Sequence, residues 1–89
     1  MRDEMEKLLK EELRTLAIRT RGRLDYKQKR AAEALVMSDS SYSDIETGVN
    51  MCGTLTAVLL LMAQPDPNEY LRKLEIKFQE LYDRMGQPV

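Results

Sequence analysis

The chain has 89 residues, 43% of them hydrophobic, and its 14 basic and 15 acidic side chains give a formal net charge of −1. This length predicts a single domain, residues 1–89, close to the lower limit for a self-sufficient hydrophobic core. The sequence has no histidine and one cysteine, which removes the commonest general base and leaves no ligand set for zinc. We therefore expect no enzymatic activity and no catalytic, cofactor-binding or metal-binding residues.

Cysteine usage and the N-terminal segment indicate the compartment. A lone cysteine, Cys52, cannot form an intramolecular disulfide, and the acidic segment 1–6 has no apolar signal core. The longest apolar run, residues 57–63, is far shorter than the ~20 residues of a membrane span. These features predict a cytoplasmic protein without a membrane partner.

The first predicted helix covers residues 3–21 and is followed by an ambiguous segment. Apolar side chains recur every three or four residues along it, as one face of a helix requires. Gly22 either ends this helix, so that Asp25 caps a second helix over 25–38, or lies inside one helix that continues to Met37. The pattern favours the break but leaves both possibilities open. Residues 38–42 are predicted to form a polar loop.

The central predicted helix covers residues 43–64 and is the most apolar part of the chain. Ser43 and Glu46 fit a capping box at its start, and Pro65 ends it. From Ala57 onward it is apolar on all sides, which is typical of a buried helix. Small residues at Gly48, Cys52 and Thr56 predict either tight packing inside the domain or a groove for a partner helix.

The last predicted helix covers residues 67–85. Asp66 as N-cap, Pro67 at the first helical position and Glu69 three residues after the cap form a strong helix start. The short turn before it predicts that it packs antiparallel to the central helix. The fold class is therefore all-α, a small three- or four-helix bundle with an antiparallel C-terminal helical hairpin.

The apolar central helix has more surface than its neighbours can cover, which predicts a function in binding. We expect a non-enzymatic helical protein–protein interaction module, such as an adaptor, an assembly or secretion chaperone or a small regulator, that self-associates or holds a partner helix. The predicted apolar contact residues are Met51, Leu55, Val58, Leu60, Leu61 and Met62.

A basic stretch provides the alternative function. Residues 19–30 carry six basic side chains and one acid, whereas residues 31–71 carry no lysine or arginine. The predicted basic contact residues are Arg19, Arg21, Arg23, Lys27 and Arg30. They predict either a solvated helix face, contact with an acidic protein surface, including that of a second copy, or a nucleic-acid-binding regulator. The negative net charge weighs against the last of these.

Overall fold

A computed structural model describes residues 1–86, and this part of the chain forms five α-helices and no strand. In chain order they are α1 (Arg2–Arg23), α2 (Gln28–Ala34), α3 (Asp39–Thr47), α4 (Thr54–Met62) and α5 (Pro67–Arg84). The all-helical fold class is confirmed. None of these helices is long and apolar enough to cross a membrane.

Helix α1 ends at Arg23, one residue past Gly22, and α2 begins at Gln28, so the chain forms two helices here, as the pattern favoured, and not one that continues to Met37. Helix α1 ends where Tyr26 N–H donates to the Arg21 carbonyl at 3.0 Å and Asp25 N–H donates to the Gly22 carbonyl at 3.2 Å. This is the Schellman arrangement, which requires a left-handed residue just after the helix. Asp25 takes that conformation, with φ of 57°, and therefore does not cap α2.

The second and third helices end in the same way. After α2, Val36 has φ of 56°, and Met37 N–H donates to the Ala32 carbonyl at 3.0 Å. After α3, Gly48 has φ of 80°, and Val49 N–H donates to the Asp44 carbonyl at 2.9 Å. The repeated caps turn the chain sharply three times within about 25 residues, so the helical region is divided into short pieces.

The structure corrects the predicted central helix over 43–64, which is two helices separated by residues 48–53. The capping box at Ser43 is also wrong, because Ser43 lies inside α3 and Ser38 is the N-cap, accepting from Ser41 N–H at 3.2 Å. The polar segment 38–42 is accordingly the cap and first turn of α3, not a loop. The predicted row of small residues does not exist, since Gly48 ends one helix and Gly53 caps the next.

The N-cap and the first residue of the predicted last helix are confirmed, while the Glu69 carboxylate pairs with Lys73 at 3.2 Å. The Asp66 side chain accepts from the backbone N–H of Glu69 at 3.1 Å, and Pro67 is the first residue of α5. Helix α5 packs against α1 and α4. Its Lys77 pairs with Glu12, while Tyr70, nearer its start, lines a groove with Arg19, nearer the end of α1. Helices α5 and α1 therefore run in opposite directions.

The hydrophobic core is supplied mainly by α1 to α4. Its largest fully buried side chains are Tyr42 and Leu60. Leu16 and Ala17 of α1 and Ala31 and Ala32 of α2 pack around them. Helix α5 contributes one buried side chain, Leu81, so this helix covers the core only in part.

Candidate functional site

The outward side of α4 is an exposed apolar surface. Leu55, Val58 and Met62 recur at spacings of three and four, so they share one face of the helix, and they are 63%, 46% and 71% exposed. We call these three residues the α4 outer surface. Exposed apolar groups on one face usually mark a contact with another molecule.

The structure divides the six predicted apolar contact residues by exposure. Leu60 is 2% exposed and belongs to the core, so it cannot contact a partner as predicted. Leu61 is half-buried, and Met51 lies before α4 at 38% exposure. The division follows the helical repeat, because Leu60 points to the opposite side of α4 from Val58.

The α4 outer surface lies in an uncharged stretch of the sequence. Residues 48–65 contain no aspartate, glutamate, lysine or arginine. The connecting segment before α4 adds Val49, which is 64% exposed. Depletion of charge and enrichment in methionine and large apolar groups characterise the centre of protein interfaces. This part of the chain has that composition.

A small apolar cavity lies beside the α4 outer surface. It is a half-open hollow of about 110 Å³ between the second half of α1, α2 and the end of α4. Most of its lining is small or aliphatic, including Ala17, Ala31, Ala34, Leu35, Leu59 and Ala63. An engineered apolar cavity of roughly 150 Å³ accepts a benzene molecule, so this cavity matches one aliphatic side chain. We call it the α1–α2–α4 cavity.

One row of side chains connects the two features. Leu55, Leu59 and Ala63 follow each other at four-residue spacing along α4, and such residues lie on one line of a helix surface. Leu55 belongs to the α4 outer surface, whereas Leu59 and Ala63 line the cavity. A molecule that packs on the α4 outer surface can therefore contact the cavity at the same time.

Arg21, which lines the cavity, forms an ion pair with Glu46 that the sequence analysis did not predict. Arg21 Nε donates to Glu46 Oε2 at 2.6 Å and Arg21 Nη2 donates to Glu46 Oε1 at 3.1 Å. Gln28 Nε2 donates to the same Oε1 at 3.1 Å, and Arg14 Nε donates to the Glu46 main-chain carbonyl at 2.8 Å. Residues from α1, α2 and α3 thus meet at one buried carboxylate.

The protonation equilibria reflect this burial. Burial raises the pKa of Glu46, but the Arg21 guanidinium and the other neighbouring hydrogen-bond donors together outweigh it and hold the pKa below its ordinary value. Burial, and then the neighbouring Glu46 carboxylate, raise the pKa of Tyr42, whose hydroxyl donates to the Ala17 carbonyl at 3.4 Å. Glu46 is therefore charged and Tyr42 neutral at pH 7.

The predicted basic contact residues have different surroundings in the structure. Arg21 binds Glu46, and Arg23 Nη2 donates to the Ala63 carbonyl at the end of α4 at 2.6 Å. Arg30 lies 5.3 Å from the centre of the Tyr26 ring and 3.5 Å from Glu33. Arg19 lines the groove toward α5, and Lys27 is the exposed N-cap residue of α2. Three of the five basic side chains thus have partners within the chain.

Cys52 is a buried cysteine with an unreactive thiol. The side chain belongs to the hydrophobic core, and burial raises the pKa of its thiol. Across residues 1–86, no three carboxylate, cysteine or histidine side chains are grouped so that they could hold a metal ion.

Comparisons of the chain with protein-family models, with curated proteins and with solved structures gave no match.

Proposed function

We propose that this chain is a non-enzymatic helical protein–protein interaction module that associates through the α4 outer surface. An adaptor, an assembly or secretion chaperone and a small cytoplasmic regulator are the classes that work in this way. The observation that carries the proposal is the pairing of the uncharged stretch 48–65 with three exposed large side chains on one helix face, Leu55, Val58 and Met62. A predicted antiparallel arrangement of α4 and α5 would present this face on a hairpin.

The size of the accessible surface supports association. A monomer of 10.3 kDa is expected to expose roughly 5,400 Å², whereas this structure exposes 6072 Å². The excess of roughly 700 Å² means that the fold leaves more surface uncovered than a typical monomer of this mass. The molecule measures 42 × 27 × 19 Å, and its shortest dimension equals about two helix diameters. A partner helix packed on α4 would cover one side of this thin molecule.

The partner that the surface suits best is a second copy of the chain. In a two-fold dimer the same patch contacts itself, so any net charge on it would repel its own copy. The stretch 48–65 has none. Nucleic acid suits this surface poorly because its binding depends on phosphate neutralisation, and Arg21, Arg23 and Arg30 are engaged within the chain.

Sedimentation equilibrium of the whole chain tests the proposal. The unaltered chain should be dimeric at about 10–100 μM, the range expected of an interface worth roughly 6–8 kcal/mol. Val58→Lys should make it monomeric, because it places two ammonium groups at the centre of an apolar contact. Ile76→Lys is the matched control, since Ile76 is 58% exposed but lies on α5, and it should leave the dimer intact.

A monomer at all these concentrations would contradict the proposal. So would a dimer that Val58→Lys leaves unchanged while Ile76→Lys disrupts it, because the contact would then lie on α5. Circular dichroism at low micromolar concentration checks that both variants keep the helical content of the unaltered chain.

A further inference from the structure

We infer that in the dimer the Leu55 side chain of each copy fills the α1–α2–α4 cavity of the other. The inference rests on the proposed function and adds what the second copy inserts and where. It joins two features of matching size: a leucine side chain that is 63% exposed and an apolar cavity of about 110 Å³.

The termini of α4 favour antiparallel pairing of the two copies of this helix. The first turn has no acidic residue, and Gly53 supplies no side-chain cap, so nothing within α4 balances the partial positive charge at its start. In antiparallel pairing the end of the second α4, whose partial negative charge also holds Arg23 of its own chain, lies beside this start. A two-fold axis perpendicular to the helix produces this arrangement.

The position of the axis sets which residues face each other. The α4 outer surface extends from Leu55 to Met62, so a symmetric contact has its axis beside Val58 and Leu59. Leu55 of one copy then lies across from Met62 of the other. At that level of α4, Leu59 and Ala63 line the cavity, so Leu55 of the second copy arrives next to its opening.

The chemistry of the cavity suits a leucine. Its lining is largely aliphatic, and the one guanidinium in it, that of Arg21, is bound to Glu46 and to the Tyr26 carbonyl. No ionised group is then left in need of a polar ligand. Filling an apolar cavity restores contacts that its walls lack, and a buried apolar anchor in a pocket is the usual energetic centre of an interface.

A double-mutant cycle on dimer affinity tests the inference. Leu55→Ala removes the inserted side chain, and Ala34→Leu fills the cavity from its exposed edge on α2. Each should raise the dimer dissociation constant by about ten-fold or more. Because both remove the same contact, the double variant should be little weaker than either single one. Leu55→Met, which keeps the side-chain size, should stay within about three-fold of the unaltered chain.

Two control variants isolate the cavity. Glu33→Leu adds a leucine at the neighbouring, exposed position of α2, which does not line the cavity, and Ile76→Ala shortens an exposed side chain on α5. Both should change the dissociation constant by less than about two-fold, because neither side chain lines the cavity. Thermal unfolding at low concentration shows whether Ala34→Leu keeps the monomer folded.

The outcomes separate this inference from the proposed function. If Leu55→Ala and Ala34→Leu weaken the dimer independently, or if Ala34→Leu has no effect, Leu55 does not occupy the cavity, although association through α4 stands. If the unaltered chain is monomeric, both fail.

Discussion

Arg21 and Glu46 join the last turn of α1 to the end of α3 through two hydrogen bonds, of 2.6 and 3.1 Å. The Glu46 side chain is 8% exposed and that of Arg21 is 28% exposed, so the carboxylate depends on the guanidinium for most of its compensation. Because Arg21 also lines the α1–α2–α4 cavity, this pair couples the stability of the bundle to the shape of the candidate site.

Removal of Arg21 should be costly unless Glu46 is removed with it. Arg21→Met keeps an unbranched apolar stem but leaves a buried carboxylate with Gln28 as its main donor. Since Arg21 is partly exposed and water can replace some of its effect, we expect the free energy of unfolding to fall by about 2–4 kcal/mol. Arg21→Met combined with Glu46→Leu should recover at least half of this loss. Urea unfolding of the three variants measures the coupling, and simple additivity of the two changes would contradict it.

The same carboxylate should make the protein sensitive to acid. Since the pKa of Glu46 is lower in the folded chain than its ordinary value of 4.5, the unfolded chain takes up the proton first as the pH falls. The stabilisation is therefore complete above about pH 5 and is lost as the pH falls through 4.5 toward the folded value. Thermal unfolding between pH 7 and 3 should show this decline, and Glu46→Gln should flatten it. If the unfolding temperature of Glu46→Gln falls with pH as steeply as that of the unaltered chain, other carboxylates cause the loss of stability in acid.

Tyr42 should make the stability of the protein fall at alkaline pH. Its pKa is raised above the ordinary value of 10.0, first by burial and then by Glu46, so the unfolded chain loses its proton first as the pH rises. Stability should fall above about pH 10. Tyr42→Phe should remove this dependence while costing about 1 kcal/mol or less at pH 7, because the hydrogen bond to Ala17 is long at 3.4 Å. Absorbance near 295 nm reports the ionisation directly.

The ends of α1 and α2 are each followed by a residue other than glycine in the left-handed backbone conformation. Asp25 and Val36 have positive φ values of 57° and 56°, a conformation that costs a residue with a Cβ about 1–2 kcal/mol. Val36→Gly should therefore stabilise the protein by about 1 kcal/mol, and its 77% exposed side chain loses little packing. Asp25→Gly should act in the same direction by a smaller amount, because aspartate tolerates this conformation better than valine.

Gly48 provides the matched control for the helix ends. A Cβ at this position would meet Arg14 Cδ at 3.7 Å, an ordinary contact, so Gly48→Ala adds only the strain of its φ of 80°. We expect a loss of about 1–2 kcal/mol in urea unfolding. If Val36→Gly destabilises the protein instead, the α2 terminus does not adopt the Schellman arrangement in solution.

Truncation of a side chain should lower the stability more on the buried side of α4 than on its exposed side. Leu60→Ala leaves a cavity in the core and should cost about 2–4 kcal/mol of unfolding free energy. Leu55→Ala, the same change on the exposed side, should cost less than about 0.5 kcal/mol when measured at a concentration where the chain is monomeric. Comparable losses in both variants would mean that the outer face of α4 is covered within one chain.

The sequence by itself determined the features that depend on neighbouring residues. Helical class follows from apolar spacing, and the start of α5 follows from Asp66, Pro67 and Glu69, whose bonds lie within one turn. The exposed apolar character of Leu55, Val58 and Met62 was also indicated, because a helix that is apolar on all sides has more apolar surface than a small domain can bury.

Only the tertiary structure decided where the central helical region breaks and which charged groups lie inside. Glu46 reads as a capping residue of its own helix, but its carboxylate binds Arg21, 25 positions away, and no local pattern encodes such a distant partner. Ending α3 at Gly48 lets α4 leave in a new direction, so that Leu60 enters the core while Leu55 stays outside. The choice between a continuous and a broken helix depends on burial gained far along the chain, which exceeds the small local differences in helix propensity.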